Sequence, residues 1–229
     1  MDNFFAAPTD EWGDNAVRLT TAGVTTIAAI ILVLVVAALL IGRHKKDEKL
    51  ITTKQLVYSA VAIALAMVTS MIKVFALPTG GAVTLLSMLF VVLIAYWYGP
   101  AIGILTGVAY GLLQFVLEPI FYTIPQMLVD YPLAFGALGL AGFFYKAKNG
   151  LTIGYILGVL GRYFFAFLSG VIFFGMYAPE GMGVAVYSLL YNGSYLIPEA
   201  VITLIIINIP PVKHALTQLK KSATENHRN

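Results

Sequence analysis

Three ionisable side chains interrupt stretches that are otherwise apolar over helix length: Asp130 in MLVDYPLAFGALGLAG, Arg162 in GRYFFAFLSGVIFF and Glu199 in YLIPEAVITL. A charge in such a run is costly to bury and marks a ligand, an ion path or a pairing partner. Asp130 keeps the most suggestive company. Gln126 stands one turn before it, Phe174 closes a later apolar run, and YSLLYNGSY supplies Tyr187, Tyr191, Asn192 and Tyr195. A carboxylate neutralises a cation or accepts from an amino group, and aromatic faces hold a delocalised cation. A carboxamide reads a heterocycle edge with one donor group and one acceptor. Together they suit a small, flat, positively charged heterocycle. The competing reading for Asp130 and Arg162 is that they pair or snorkel and simply set helix register. Glu199, directly after Pro198, reads as a cap or a partner ahead of a ligand contact, and Tyr191 and Tyr195 read as interfacial aromatics.

Other chemistry finds little footing. The 229 residues include no cysteine, which removes disulfides, thiolate metal sites and thiol catalysis. His44, His214 and His227 fall in loops or the tail, and Ser169 has no evident base nearby. No Gly-Lys-Ser/Thr phosphate loop occurs, so no nucleotide site is visible. The expectation is a binding protein rather than an enzyme, without cofactor or metal.

The elements that must position these residues are membrane helices. The chain is 59% hydrophobic and 11% charged, with a mean hydropathy of +0.87, whereas a soluble domain carries roughly a quarter charged residues. Candidate spans are Thr21–Gly42, Gln55–Val74, Val83–Tyr96, Ala101–Leu117, Gln126–Tyr145, Ile153–Met176 and Tyr195–Ile209, the third of them short. Arg43, Lys45, Lys46, Lys49 and Lys54 follow the first span, Lys146 and Lys148 the fifth, and Lys213, Lys220 and Lys221 the seventh. By the positive-inside rule the N-terminus lies outside a bacterial plasma membrane and the C-terminus in the cytoplasm. The net charge of +3 follows from that topology and is no nucleic-acid footprint. Asp2, Asp10, Glu11 and Asp14 in the leader argue against a secretory signal. The reading is an all-α integral membrane protein: an outer segment 1–20, an additional helix 21–42, a charged linker 43–54, a six-helix core 55–210 and a cytoplasmic tail 211–229.

Small residues mark close helix approach in lipid. Gly99, Gly103, Gly107 and Gly111 form one stripe at four-residue spacing, which reads as packing within the chain. Ala60, Ala62, Ala64 and Ala66 form two overlapping small-residue pairs, open to packing within the chain or against another subunit.

Five strings in order, LPTGGAVTLLSML, YGPAIGILTGVAYGLLQFVLEP, LVDYPLAFGALGLAG, GRYFFAFLSGVIFFGMYAPEGM and YSLLYNGSYLIPE, resemble the ThiT-type thiamine-binding subunits of energy-coupling factor (ECF) transporters. The match runs from about Lys54 to Pro211 and leaves out the first helix. It implies a six-helix S-component that captures a vitamin at the outer face and works with a transmembrane coupling protein and two ATPases. The family's acidic ligand residue falls on Asp130, its tyrosine and asparagine on Tyr187 and Asn192, and its stacking aromatic on Phe174. Its docking helix matches the one carrying Ala60, Ala62, Ala64 and Ala66. A family histidine falls on Ala166, and a tryptophan of some relatives falls on Gly81. Asp130, Phe174, Tyr187, Asn192 and Ala166, with Gln126, are the expected substrate-binding set, for thiamine or a related pyrimidine or thiazole. The rival expectation is a stand-alone secondary transporter that couples ions through Asp130, Arg162 and Glu199.

Overall fold

The computed structural model describes residues 6–8, 17–22, 25, 51–77 and 81–225. The expected additional helix 21–42 and most of the linker after it lie outside the described residues. Ahead of them, β1 (Ala6–Pro8) pairs antiparallel with β2 (Val17–Leu19).

Thr52 opens α1 (Thr53–Ser70) with a capping box: its hydroxyl accepts from Gln55 N at 3.2 Å while Thr52 N donates to Gln55 Oε1 at 2.8 Å. The helix stops at Ser70, short of the expected Val74. The chain turns back instead as a hairpin of β3 (Lys73–Ala76) and β4 (Ala82–Thr84), with Lys73 opposite Thr84 and Ala76 opposite Ala82. Val74 and Phe75 prolong the apolar run, but a β-branched and an aromatic residue suit a strand equally well.

Helix α2 (Ser87–Tyr98) is the short span, and its 12 residues rise about 18 Å against a hydrocarbon core of about 30 Å. Met88, Val91, Val92, Ile94 and Ala95 are fully buried, so this helix lies inside the bundle with apolar residues on every side. Gly99, at φ +92°, turns the chain into α3 (Pro100–Leu117); that backbone region favours glycine, and Pro100 loses nothing at a helix start. The glycine stripe of α3 lies against α4 (Ile124–Phe144). A Cβ at Gly107 would strike the Phe135 carbonyl, and one at Gly111 the Tyr131 carbonyl. The stripe therefore seats two backbones against each other, as the spacing predicts.

Helices α5 (Gly150–Phe173) and α6 (Val184–Asn208) complete the core, so among the described residues five helices are long and apolar enough to span, beside the shorter α2. Helix α6 begins well before the expected Tyr195, because the polar residues of YSLLYNGSY turn inward on a regular helix instead of forming a loop. The expected tail is helical as well. In α7 (Pro210–Thr224) the C-terminal carbonyls are capped by Lys54, which donates to Ser222 O at 2.6 Å and Glu225 O at 2.7 Å. Exposed Leu65, Val68, Ile172 and Ile205 give the flanks a lipid-facing apolar surface.

The alanines of α1 divide between two faces. Ala62 and Ala66 are buried against the core, whereas Ala60 and Ala64 are exposed. Residues two apart on a helix point about 200° from each other, so the four do not form one docking surface. Only Ala60 and Ala64 are placed to meet another chain.

Candidate functional site

At the hairpin end of the bundle, α3 to α6 and the β3–β4 hairpin enclose a cavity of about 760 Å³. Asp130, Ala166, Phe174, Tyr187 and Asn192 all line it. Gln126 does not: it is fully buried behind the wall.

Asp130 owes its placement to Pro132. Proline has no N–H for the carbonyl four residues back, and the helix widens into a π turn over Val129–Leu133, with Ala134 N donating to Val129 O. The wider turn carries Asp130 into the cavity wall. Gln126 Nε2 then donates to Asp130 Oδ2 at 2.6 Å and to Ile120 O at 3.1 Å, while Gln126 Oε1 accepts from Tyr122 N at 2.9 Å. The expected ligand contact at Gln126 is thus replaced by a positioning role, since its amide is taken up by the protein. The buried Ser169 hydroxyl has no partner at hydrogen-bond distance.

Asn192 faces Asp130's helix from α6, also with most of its amide engaged. Its Nδ2 donates to Ser188 O at 2.9 Å and to Ala166 O at 3.2 Å, and its Oδ1 accepts from the Tyr195 hydroxyl at 2.7 Å. One acceptor lone pair on Oδ1 remains for a ligand. Tyr191 and Tyr195, read from sequence as interfacial aromatics, line the cavity instead. Gly81 N donates to the Tyr191 hydroxyl at 2.9 Å, and the Tyr195 ring packs so closely on Gly81 that a Cβ there would clash. Where some relatives carry a tryptophan, the ring surface here comes from α6.

Aromatic rings form the rest of the wall. Phe174 meets Tyr122 edge-on at 5.3 Å and stacks on Tyr177 at 6.3 Å, and the two tyrosine hydroxyls lie 2.5 Å apart. Tyr187 stacks on Tyr191 at 5.8 Å. The sequence reading missed Tyr122 and Tyr177; the available signal was that both lie in short connections at the same end as Asp130. Such ring faces favour a delocalised cation.

The other two charges behave differently. Glu199 is 2% exposed and accepts from Thr84 N (3.0 Å), Thr84 Oγ1 (2.7 Å), Ser87 Oγ (3.2 Å) and Met88 N (3.5 Å). It caps the start of α2 from across the bundle and holds Leu86 at φ +63°, a conformation that costs a non-glycine residue about 1–2 kcal/mol. Arg162 lies over the Phe135 ring at 4.1 Å. It does not pair with Asp130 or Glu199; the ion pair among the described residues joins Lys73 to Glu118 at 2.7 Å near the mouth.

The chain has relatives among known proteins. Residues 56–219 match the family of thiamine transporter proteins (Thia_YuaJ). "Thiamine transporter ThiT" of Bacillus subtilis (strain 168) is 34% identical over 165 residues, covering 66% of this chain and 84% of the relative. The protein of the same name from Lacticaseibacillus paracasei is 35% identical over 129 residues, 50% of this chain and 62% of that one. The solved structure of ThiT from Listeria monocytogenes superposes with a TM-score of 0.62 at 28% identity, over 72% of this chain and 96% of that one. With a membrane-embedded helical core, this cavity and a family match that spans most of the chain, the protein belongs to the ThiT family of thiamine transporter proteins.

Proposed function

We propose that the chain binds thiamine in the hairpin-end cavity, at the outer face of the membrane, as the substrate-binding subunit of an ATP-driven ECF importer. The observation that carries this reading is Asp130, a carboxylate held by Gln126 in a cavity wall rich in aromatic rings. Thiamine combines an aminopyrimidine, whose amine suits a carboxylate acceptor, with a thiazolium cation that ring faces attract by about 0.5–2 kcal/mol each. The names of the Bacillus subtilis and Listeria monocytogenes relatives support the choice of vitamin.

The outward direction follows from charge. Lys146, Lys148, Lys213, Lys220 and Lys221 gather at the end opposite the hairpin, which the positive-inside rule assigns to the cytoplasm. In this arrangement residues 1–20 lie outside, 21–42 form an additional span, and 43–54 a cytoplasmic linker before the six-helix core. Energy coupling is left to a transmembrane coupling protein and two ATPases, because the sequence has no phosphate-binding loop. Exposed Ala60 and Ala64 offer the coupling protein a close approach. The remaining surroundings are lipid, and no nucleic acid is involved.

Calorimetric titration of the purified chain with thiamine tests the binding step, with saturable one-to-one binding expected and no heat or competition overturning it. For coupling, Ala64→Phe should abolish uptake in cells holding the coupling protein and ATPases while leaving thiamine affinity unchanged. Gradient-driven uptake by the chain alone in liposomes would favour a secondary transporter instead.

A further inference from the structure

The two carboxamides beside the cavity have no donor hydrogen left for a ligand. Asp130 supplies an acceptor, and Asn192 retains one acceptor lone pair. Both Nδ2 hydrogens of Asn192 are directed at Ala166 O and Ser188, and Gln126 spends its amide on Asp130 and Ile120. Ala166, on the α5 face of the cavity, brings no polar side-chain atom. One turn deeper on that face stands Arg162, which also lines the cavity. Among the described residues its guanidinium has no carboxylate within ion-pair distance and no hydrogen-bond acceptor, only the Phe135 ring. A guanidinium left without an acceptor at membrane depth is costly, and it is retained where a partner arrives.

Resting on the thiamine reading above, we propose that Arg162 is a ligand-contacting specificity residue whose guanidinium donates to the ring nitrogen beside the amino group of the aminopyrimidine. On that edge, donor and acceptor atoms are adjacent: the amine gives a hydrogen to Asp130, and the neighbouring nitrogen receives one from Arg162. An anionic ligand group is the poorer match. Asp130 and Glu199 line the same cavity, so an anion reaching Arg162 would face two carboxylates. A neutral ring nitrogen takes the donor without that repulsion. The cationic ring of the ligand is left to the aromatic wall around Phe174 and Tyr122. Ala166 has a specific place in this arrangement, because a large side chain one turn above would stand between ligand and guanidinium.

The test is calorimetry on the full purified chain with two ligands: thiamine, and the analogue in which that ring nitrogen is replaced by C–H. The unaltered protein should bind thiamine about 10- to 100-fold more tightly than the analogue, the range for a charge-assisted hydrogen bond. Arg162→Met should bring thiamine down to the analogue's level and change the analogue less than about threefold. Arg162→Lys keeps the charge with fewer donors, and should fall between the two while holding the thermal midpoint of the unaltered protein. If both ligands lose affinity equally in Arg162→Met and in Arg162→Lys, the residue is structural and the proposal is overturned. Equal binding of both ligands by the unaltered protein overturns it as well. No thiamine binding by the unaltered protein overturns the vitamin reading itself, and this proposal with it.

Discussion

Asp130 and Glu199 both line the same cavity, yet the protein has placed them in opposite situations. Glu199 accepts four hydrogen bonds, from two backbone and two side-chain donors at the entry to α2. Asp130 accepts from Gln126 on one oxygen and lines the cavity. A carboxylate whose lone pairs are filled by its own chain serves the fold; one left partly unfilled has capacity for the ligand contact proposed above. The difference comes from the partners within reach. The hairpin brings Thr84 and Ser87 to Glu199, whereas the π turn at Pro132 directs Asp130 away from its own backbone.

Breaking Glu199 should give the largest effect, and on stability. Glu199→Leu orphans Thr84 N and Met88 N and leaves the Thr84 and Ser87 hydroxyls, 2.6 Å apart, with only each other; each donor buried without an acceptor costs about 1–3 kcal/mol. A drop of more than about 3 kcal/mol is expected, read as a lower thermal midpoint in detergent. A midpoint within a degree of the unaltered protein would show that α2 does not depend on this cap.

Asp130→Asn should act on binding instead. The amide keeps the shape and can still meet Gln126, but it loses the charge, so thiamine affinity should fall about 10- to 100-fold. The thermal midpoint should stay near that of the unaltered protein. Loss of midpoint with normal thiamine affinity in the folded fraction would exchange the roles of the two carboxylates.

The finest test sits behind Asp130. Gln126→Ala removes the side chain that fixes Asp130, and with it the bonds to Ile120 O and Tyr122 N, while adding nothing to the cavity. Thiamine affinity should fall about 2- to 10-fold, the worth of one neutral hydrogen bond. That loss should vanish when Gln126→Ala is combined with Asp130→Asn, because a positioning residue has nothing left to position. Additive losses would mean that Gln126 reaches the ligand directly.

Local pattern carried much of this molecule. Apolar runs of bilayer length, the short α2 and the glycines of α3 are one-dimensional signals, and from residue 55 onward each corresponds to a helix or a close backbone approach in the structure. Asp130 was legible because a charge and a proline inside such a run have few structural uses. The limits of α1 and α6 were less legible. Hydropathy cannot separate a strand of Val74 and Phe75 from one more helical turn, nor tell a polar loop from a helix whose polar face is turned inward.

What only the tertiary structure decided are pairings between residues far apart in the chain. Sequence left Glu199 between capping, pairing and ligand contact; the answer lies with donors at Thr84, Ser87 and Met88, more than a hundred positions earlier. Sequence likewise read four alanines as two overlapping pairs without deciding what either meets, and packing buried Ala62 and Ala66 while leaving Ala60 and Ala64 outside. It set Tyr191 and Tyr195 at the interface, where packing turned them into the cavity against Gly81. The physical reason is common to all three. Partition into a bilayer depends on a segment's own composition, so the sequence determined that this protein is a membrane helix bundle with a carboxylate in each of two spans. The use of each polar group depends on which donors and acceptors the fold brings within about 3 Å, and that is a property of the packed bundle alone.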